Sequence, residues 1–142
     1  KLLWIQREEG RETEKYPINL CSLIQHICED LRYIVASRDV SVKLDVDVDS
    51  IVLPETLCSI VISNLIRNAF QHTHHGSVDI LQKGGIVIIS NINTHKITPK
   101  QDLGFGLGLL LTEQLVARYG WGYDVEKRSN GICVTLDLSK IN

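Results

Sequence analysis

Three glycines on alternate positions, Gly104, Gly106 and Gly108, sit in the stretch DLGFGLGLLL, which begins at Asp102 and runs into leucines. Glycine weakens regular structure because it loses the most conformational freedom on folding. Three of them ahead of an apolar run mark a backbone that turns sharply or approaches something closely. The first N–H groups of a helix lack internal partners, and the helix dipole favours negative charge there. G-x-G-x-G leading into a helix is therefore either an anion-binding start suited to phosphate or a flexible loop packed closely at a helix start. It is not the dinucleotide fingerprint, which needs G-x-G-x-x-G after a strand. It is not a P-loop either, since no Gly-Lys-Ser/Thr follows.

A second group lies upstream. SNLIRNAFQHT places Asn64 and Asn68 four residues apart, one above the other on a helix, with Gln71 and His72 one turn further on. The apolar arc of that helix holds Cys58, Val61, Ile62, Leu65, Ile66 and Ala69, and the two asparagines border it. Half-buried amides need partners. Two at one boundary suggest a cleft with polar contents, or amides bonded to neighbouring loops. An amide oxygen is a hard, neutral ligand that suits Mg²⁺, which keeps waters and substrate phosphates as its other ligands.

The five histidines are His26, His72, His74, His75 and His95. HTHH looks like a metal cluster, but it ends a helix just before Gly76, where histidine interacts well with the dipole. The cysteines, Cys21, Cys28, Cys58 and Cys133, contain no C-x-x-C pair, which argues against zinc. Cys21 and Cys28 are seven apart on one helix, too far for a disulfide, so free buried thiols are expected.

These groups need elements to hold them. Residues 1–14 read as the tail of a helix, and Tyr16-Pro17-Ile18 as a short edge strand, where proline is tolerated. Asn19 can cap a helix over about 20–37, whose apolar residues recur at helical spacing. Val42, Leu44, Val46 and Val48 alternate as a strand, and Pro54 suits the first turn of a helix reaching about His72. SVDILQK and GIVIISN, joined by Gly84-Gly85, form a hairpin; IVII is apolar on both faces and reads as a central strand. Residues 92–103 carry no periodicity, contain Pro99 and read as loop; a third helix follows over about 107–119. YDVEKR and ICVTLDL make a second hairpin around Ser129-Asn130-Gly131. The fold class is α+β: a two-layer α/β sandwich, with a mixed, mostly antiparallel sheet of about five strands packed on one face by about three helices.

The chain has 142 residues, 44% hydrophobic and 23% charged, enough for one domain with a real core. A net charge of -2 argues against nucleic acid as partner. No apolar run reaches the length of a membrane span.

Taken together, NLIRNAFQHT resembles the N box of sensor histidine kinases, and GFGLGLLLTEQLVARYG resembles their second glycine box. The resemblance covers about residues 16–138 and is to the catalytic and ATP-binding domain, of the GHKL or Bergerat superfamily shared with gyrase and the heat-shock ATPases. It implies residues 1–14 as the end of a dimerisation and phosphoacceptor helix or a linker, and 15–142 as the ATP-binding domain. It implies a protein-histidine kinase that holds Mg-ATP between the N-box helix, the sheet and a mobile lid. The phosphoryl group would pass to a histidine on a domain outside this chain, so the chain alone is not expected to autophosphorylate. By position Asn68 would ligate Mg²⁺ with Asn64 beside it, and Gln71 and His72 would stand near the phosphates. Gly104, Phe105, Gly106, Leu107 and Gly108 would border the lid and meet the phosphates. The implied partners are the phosphoacceptor domain of a homodimer and a response regulator, without membrane contact by this domain. The implied location is the cytoplasmic side of an inner-membrane sensor.

The first glycine box departs from the family pattern D-x-G-x-G. The strand ends in SNINTH, so Asn91 stands where the adenine-reading aspartate is expected and Asn93 at the first glycine. An asparagine both accepts and donates but lacks the charge of a carboxylate. Asn93 tolerates a left-handed turn better than most residues. The segment from Thr94 to Leu103 is short for a lid, with Lys96 and Lys100 its only cations. Three readings stay open: an active kinase domain; a degenerate, catalytically weak nucleotide-binding or regulatory module; and an ATPase. The last is disfavoured because Asn64 stands where that branch carries its water-activating glutamate.

Overall fold

The computed structural model of the chain describes residues 14–48, 50–94 and 105–139, with the main chain alone for 105–108. Strand β1 (Tyr16–Asn19) ends at Asn19, whose side chain accepts from the Ser22 N–H at 3.0 Å and donates to the Val48 carbonyl at 2.9 Å. It is thus both cap of helix α1 (Leu20–Leu31) and tie to the chain beyond the next strand. The apolar spacing predicted a longer helix. From Arg32 to Ile34 the chain instead tightens into a 3₁₀ turn, with Val35 N–H on Arg32 O and Arg38 N–H on Val35 O. Short 3₁₀ pieces are common at helix ends, and the β-branched Ile34 and Val35 are weaker helix formers.

Strand β2 (Asp39–Val46) starts three residues earlier than its alternation suggested. Strand β3 (Ser50–Leu53) was not anticipated: four residues are too few to show a period. It pairs antiparallel with β1 as a separate two-stranded sheet. Pro54 is the N-cap of helix α2 (Glu55–Gln71), with Glu55 in the first turn, where the dipole favours a carboxylate. Strands β4 (His75–Lys83) and β5 (Ile86–Asn93) form the expected hairpin. Gly84, at φ 56, makes the turn between them. Helix α3 (Phe105–Tyr119) and the hairpin of β6 (Gly122–Arg128) and β7 (Gly131–Asp137) complete the described chain.

The main sheet has the order β2-β4-β5-β7-β6. Only β2 and β4 run parallel, joined by a crossover through β3 and α2, as a parallel pair requires. α2 packs between α1 and α3 and against β5. The core lies between this helix layer and one sheet face, and includes Leu20, Ile24, Ile62, Ile66, Phe70, Ile80, Val87, Ile89 and Leu136. This is the two-layer α+β sandwich with a mostly antiparallel five-stranded sheet.

Three local readings need correction. β5 is the central strand, but only one of its faces is buried: Val87, Ile89, Asn91 and Asn93 point into the core, while Ile86 and Ile92 are exposed. β5 also continues through Ile92 and Asn93, which were read as loop. Finally, α3 begins at Phe105, two residues earlier than predicted, so Gly106 as well as Gly108 lies inside its first turn; of the leucines that follow, Leu109 is buried while Leu110 and Leu111 are 50% and 45% exposed. A helix can turn only one arc of such a run toward the core.

Candidate nucleotide cleft

α2, the C-terminal half of β5, the start of β7 and the first turns of α3 converge on one cleft. It is lined by Leu65, Asn68, Ala69, Ile89, Asn91, Leu109, Ile132 and Val134. Its free interior is about 10 Å³, space for one water. A flat heterocycle would have to part α3 from the sheet to enter.

Two polar side chains line this slot, Asn68 and Asn91. Asn68 is 8% exposed, and among the described residues its side chain makes no hydrogen bond. An amide with unused hydrogen-bonding capacity at the edge of a cleft is open to water or to a polar ligand. Its position follows from the helix: the apolar arc through Leu65, Ile66 and Ala69 packs inward, and Asn68 comes to the edge of that arc over the cleft.

Asn91 is 3% exposed and held at both ends. Its Oδ1 accepts from the Ile132 N–H at 3.1 Å, and its Nδ2 donates to Thr73 Oγ1 at 3.0 Å. The Thr73 hydroxyl in turn donates to the Ala69 carbonyl at 2.6 Å. This arrangement depends on Gly131. A Cβ built there falls 1.8 Å from the Asn91 carbonyl oxygen, so only glycine lets β7 start this close to β5.

Asn93 takes no left-handed conformation, since no described non-glycine residue has positive φ. Its side chain instead ties down the segment between α2 and β4: Nδ2 donates to His72 O at 2.9 Å and Oδ1 accepts from His74 N–H at 2.8 Å. Arg38 holds the same segment from the other side. Its Nη1 donates to the carbonyls of Phe70, Gln71 and Thr73 at 3.1, 3.0 and 3.1 Å. Arg38 thus brings a cation to the C-terminal end of α2, where the sequence also places His72, His74 and His75. Burial, with the Arg38 guanidinium and His72 and His75 nearby, holds the His74 imidazole below its ordinary pKa.

The structure thus brings Asn68 and Asn91 together in one cleft, with Leu109 of α3 opposite. Asn64 sits half-buried one turn before Asn68, outside the lining; Gln71 is exposed and His72 is buried, and neither reaches the lining. Phe105, Gly106, Leu107 and Gly108 contribute the first turn of α3. Gly104, Lys96, Lys100, His95 and residues 1–13 lie outside the described residues. Sequence reasoning missed Thr73 and Arg38. Thr73 carried a faint signal, a threonine just after a helix that can bond back four residues; Arg38 carried none, because its partners lie 32 to 35 residues away.

The buried thiols are chemically quiet. Burial pushes Cys58 up to about 12, with Glu55 adding to it, and burial pushes Cys28 up to about 11 against the opposing pull of Arg32.

No protein-family model and no curated protein sequence matches the chain. Solved structures do. The Acinetobacter baumannii histidine kinase AdeS superposes with a TM-score of 0.73 at 15% identity, covering 99% of this chain and 74% of AdeS. The catalytic domain of histidine kinase ThkA, in a nucleotide-free form, gives 0.71 at 20% identity, covering 89% and 97%. Full-length ShkA in complex with AMPPNP gives 0.72 at 19% identity, covering 92% of this chain and 32% of ShkA. The fold of this chain is that of the histidine kinase catalytic domain.

Proposed function

We propose that the chain is a Mg-ATP-binding catalytic module of sensor-histidine-kinase type, presenting the γ-phosphoryl group to a histidine on a separate dimerisation and phosphoacceptor domain. The observation that carries this reading is Asn68: a buried amide without a side-chain partner among the described residues, sharing an apolar cleft with Asn91. The fold likeness adds support, since one protein of the same fold, ShkA, was solved with AMPPNP.

The donor set fits Mg²⁺ brought in with a triphosphate. The Asn68 amide oxygen is a hard, neutral ligand, and no carboxylate is among the lining residues, so the phosphates would supply the balancing charge. Bound Mg²⁺ would neutralise charge on the phosphates during transfer. The chain's own contributions are positional. Asn68 would hold the metal's protein side, the apolar walls would hold the base, and Asn91 would meet its polar edge. The glycines at 104, 106 and 108 would let main-chain N–H groups of the α3 start approach phosphate. Asn64 is not a carboxylate, so transfer to a histidine suits the cleft better than hydrolysis.

Under this reading residues 1–14 belong to the phosphoacceptor unit, the full-length protein is a homodimer, and a response regulator receives the phosphoryl group. The domain would sit on the cytoplasmic side of a membrane sensor; no described helix is long and apolar enough to cross a membrane. A second reading, a nucleotide-binding or regulatory module without transfer, is favoured by Asn93, whose side chain is bound into the His72–His74 segment.

Melting of the chain with Mg-ATP, with ATP plus EDTA, and with Asn68→Ala tests the binding claim. The expected result is a Mg²⁺-dependent rise in midpoint that Asn68→Ala abolishes. No rise at millimolar Mg-ATP contradicts it. Label from [γ-³²P]ATP on a histidine of a longer polypeptide carrying the preceding domain separates kinase from regulatory module.

A further inference from the structure

The one polar group in the cleft whose orientation the fold sets in advance is neutral. The Ile132 N–H can only donate, so the Asn91 atom 3.1 Å from it is the oxygen. Thr73 has one hydroxyl proton, directed to the Ala69 carbonyl at 2.6 Å, so its oxygen must accept, and the Asn91 atom 3.0 Å away is the NH₂. Flipping the amide would break both contacts. Each amide atom uses one of its two hydrogen-bonding positions, which leaves one lone pair on Oδ1 and one N–H on Nδ2. The other lining residues, Asn68 aside, are Leu65, Ala69, Ile89, Leu109, Ile132 and Val134, apolar walls that impose no direction on what lies between them.

A carboxylate at this position would be acceptor-only and would repel a carbonyl oxygen. The locked amide offers an acceptor and a donor side by side. We propose that Asn91 makes this site permissive at C6 of a purine, so that it takes 6-oxopurine nucleotides as well as 6-aminopurine ones. An adenine amino group donates to Oδ1, and N1 beside it can accept from Nδ2–H. A hypoxanthine O6 accepts from Nδ2–H after a sideways step of the base within the slot. Each edge finds a complementary bond at C6, in opposite senses, and the 6-aminopurine keeps one more at N1. This rests on the reading of the cleft as a nucleotide site and adds the class of base.

Calorimetric titration of the 142-residue chain with Mg-ATP and Mg-ITP tests it, beside the same titrations of Asn91→Asp. The expected wild-type dissociation constants lie within about tenfold of each other, a gap of one hydrogen bond's net worth or less. Asn91→Asp should widen the preference for ATP by at least about tenfold over wild type, because O6 then faces a carboxylate. A wild-type preference beyond that limit overturns the proposal, and so does an unchanged ratio in Asn91→Asp. If the variant does not fold, the wild-type ratio decides alone. Binding of neither nucleotide at millimolar concentration removes the nucleotide reading and this inference with it; binding with strong ATP preference removes only this inference.

Discussion

Replacing Arg38 by methionine keeps the apolar stem and removes the guanidinium. Nη1 has two N–H groups and meets three carbonyls, those of Phe70, Gln71 and Thr73, at 3.0–3.1 Å, so at least one proton is shared. The loss is thus about two charge-assisted bonds, each worth about 1.5–3 kcal/mol when fully buried. Arg38 is half-buried, and water will serve part of what it leaves. A net destabilisation of about 2–3 kcal/mol is the working figure, including the helix-end charge. Against a typical total of about 5–15 kcal/mol this is large. Urea unfolding should show it as a midpoint lowered by about 1–2 M at unchanged slope. Arg38→Lys keeps the charge but not the fork and should lie about midway. A loss for Arg38→Met below about 0.5 kcal/mol would mean that water serves the carbonyls of Phe70, Gln71 and Thr73 as well as Arg38 does, and that the guanidinium does not hold this segment.

Further outcomes follow from the same contacts. Thr73→Val strands the Asn91 Nδ2 and the Ala69 carbonyl in a place where Thr73 is 0% exposed, and should cost about 2–4 kcal/mol by urea unfolding. Thr73→Ser should recover most of it. Gly131→Ala meets the Asn91 main-chain oxygen and should cost about 2–3 kcal/mol. Gly84→Ala has open space around it and should cost only about 1 kcal/mol, for its positive φ; the reverse order would contradict the close approach of β7 to β5. Stability should fall as pH rises above about 9. Burial raises Cys28 to about 11, and burial, aided by Glu113, raises Tyr123 from 10.0 to about 12, with Cys58 also near 12. The unfolded chain releases these protons first, so their contribution is complete below pH 9 and lost toward 11–12. Flat stability across pH 8.5–10.5 would contradict that burial.

The asparagines on α2 were legible because a helix turns a spacing of four into a shared face. Four residues of β3 gave no such period, and α1 stopped at Leu31 although its apolar pattern continued, because periodicity records burial rather than hydrogen-bond geometry. Asn91 and Asn93 were singled out by a motif that they break. What they do was hidden, since their partners Thr73, His72, His74 and Ile132 lie 18 to 41 residues away and meet them only once β5 pairs with β4 and β7. The glycine stretch gave the reverse case. Its composition marked a helix start, yet the helix boundary at Phe105 and the exposure of Leu110 and Leu111 depend on how α3 rolls against the sheet.

The central claim is that a Mg-nucleotide enters between α2, β5, β7 and the start of α3. Two-dimensional NMR of the ¹⁵N-labelled chain, titrated with Mg-AMPPNP, reads this most directly through the side-chain amides of Asn68 and Asn91 and the backbone amides of Leu109 and Ile132. Saturable shifts centred on those four groups are expected, with the Asn68 shifts lost when EDTA is added. Shifts elsewhere with these four unmoved, or no saturation at millimolar nucleotide, would contradict it.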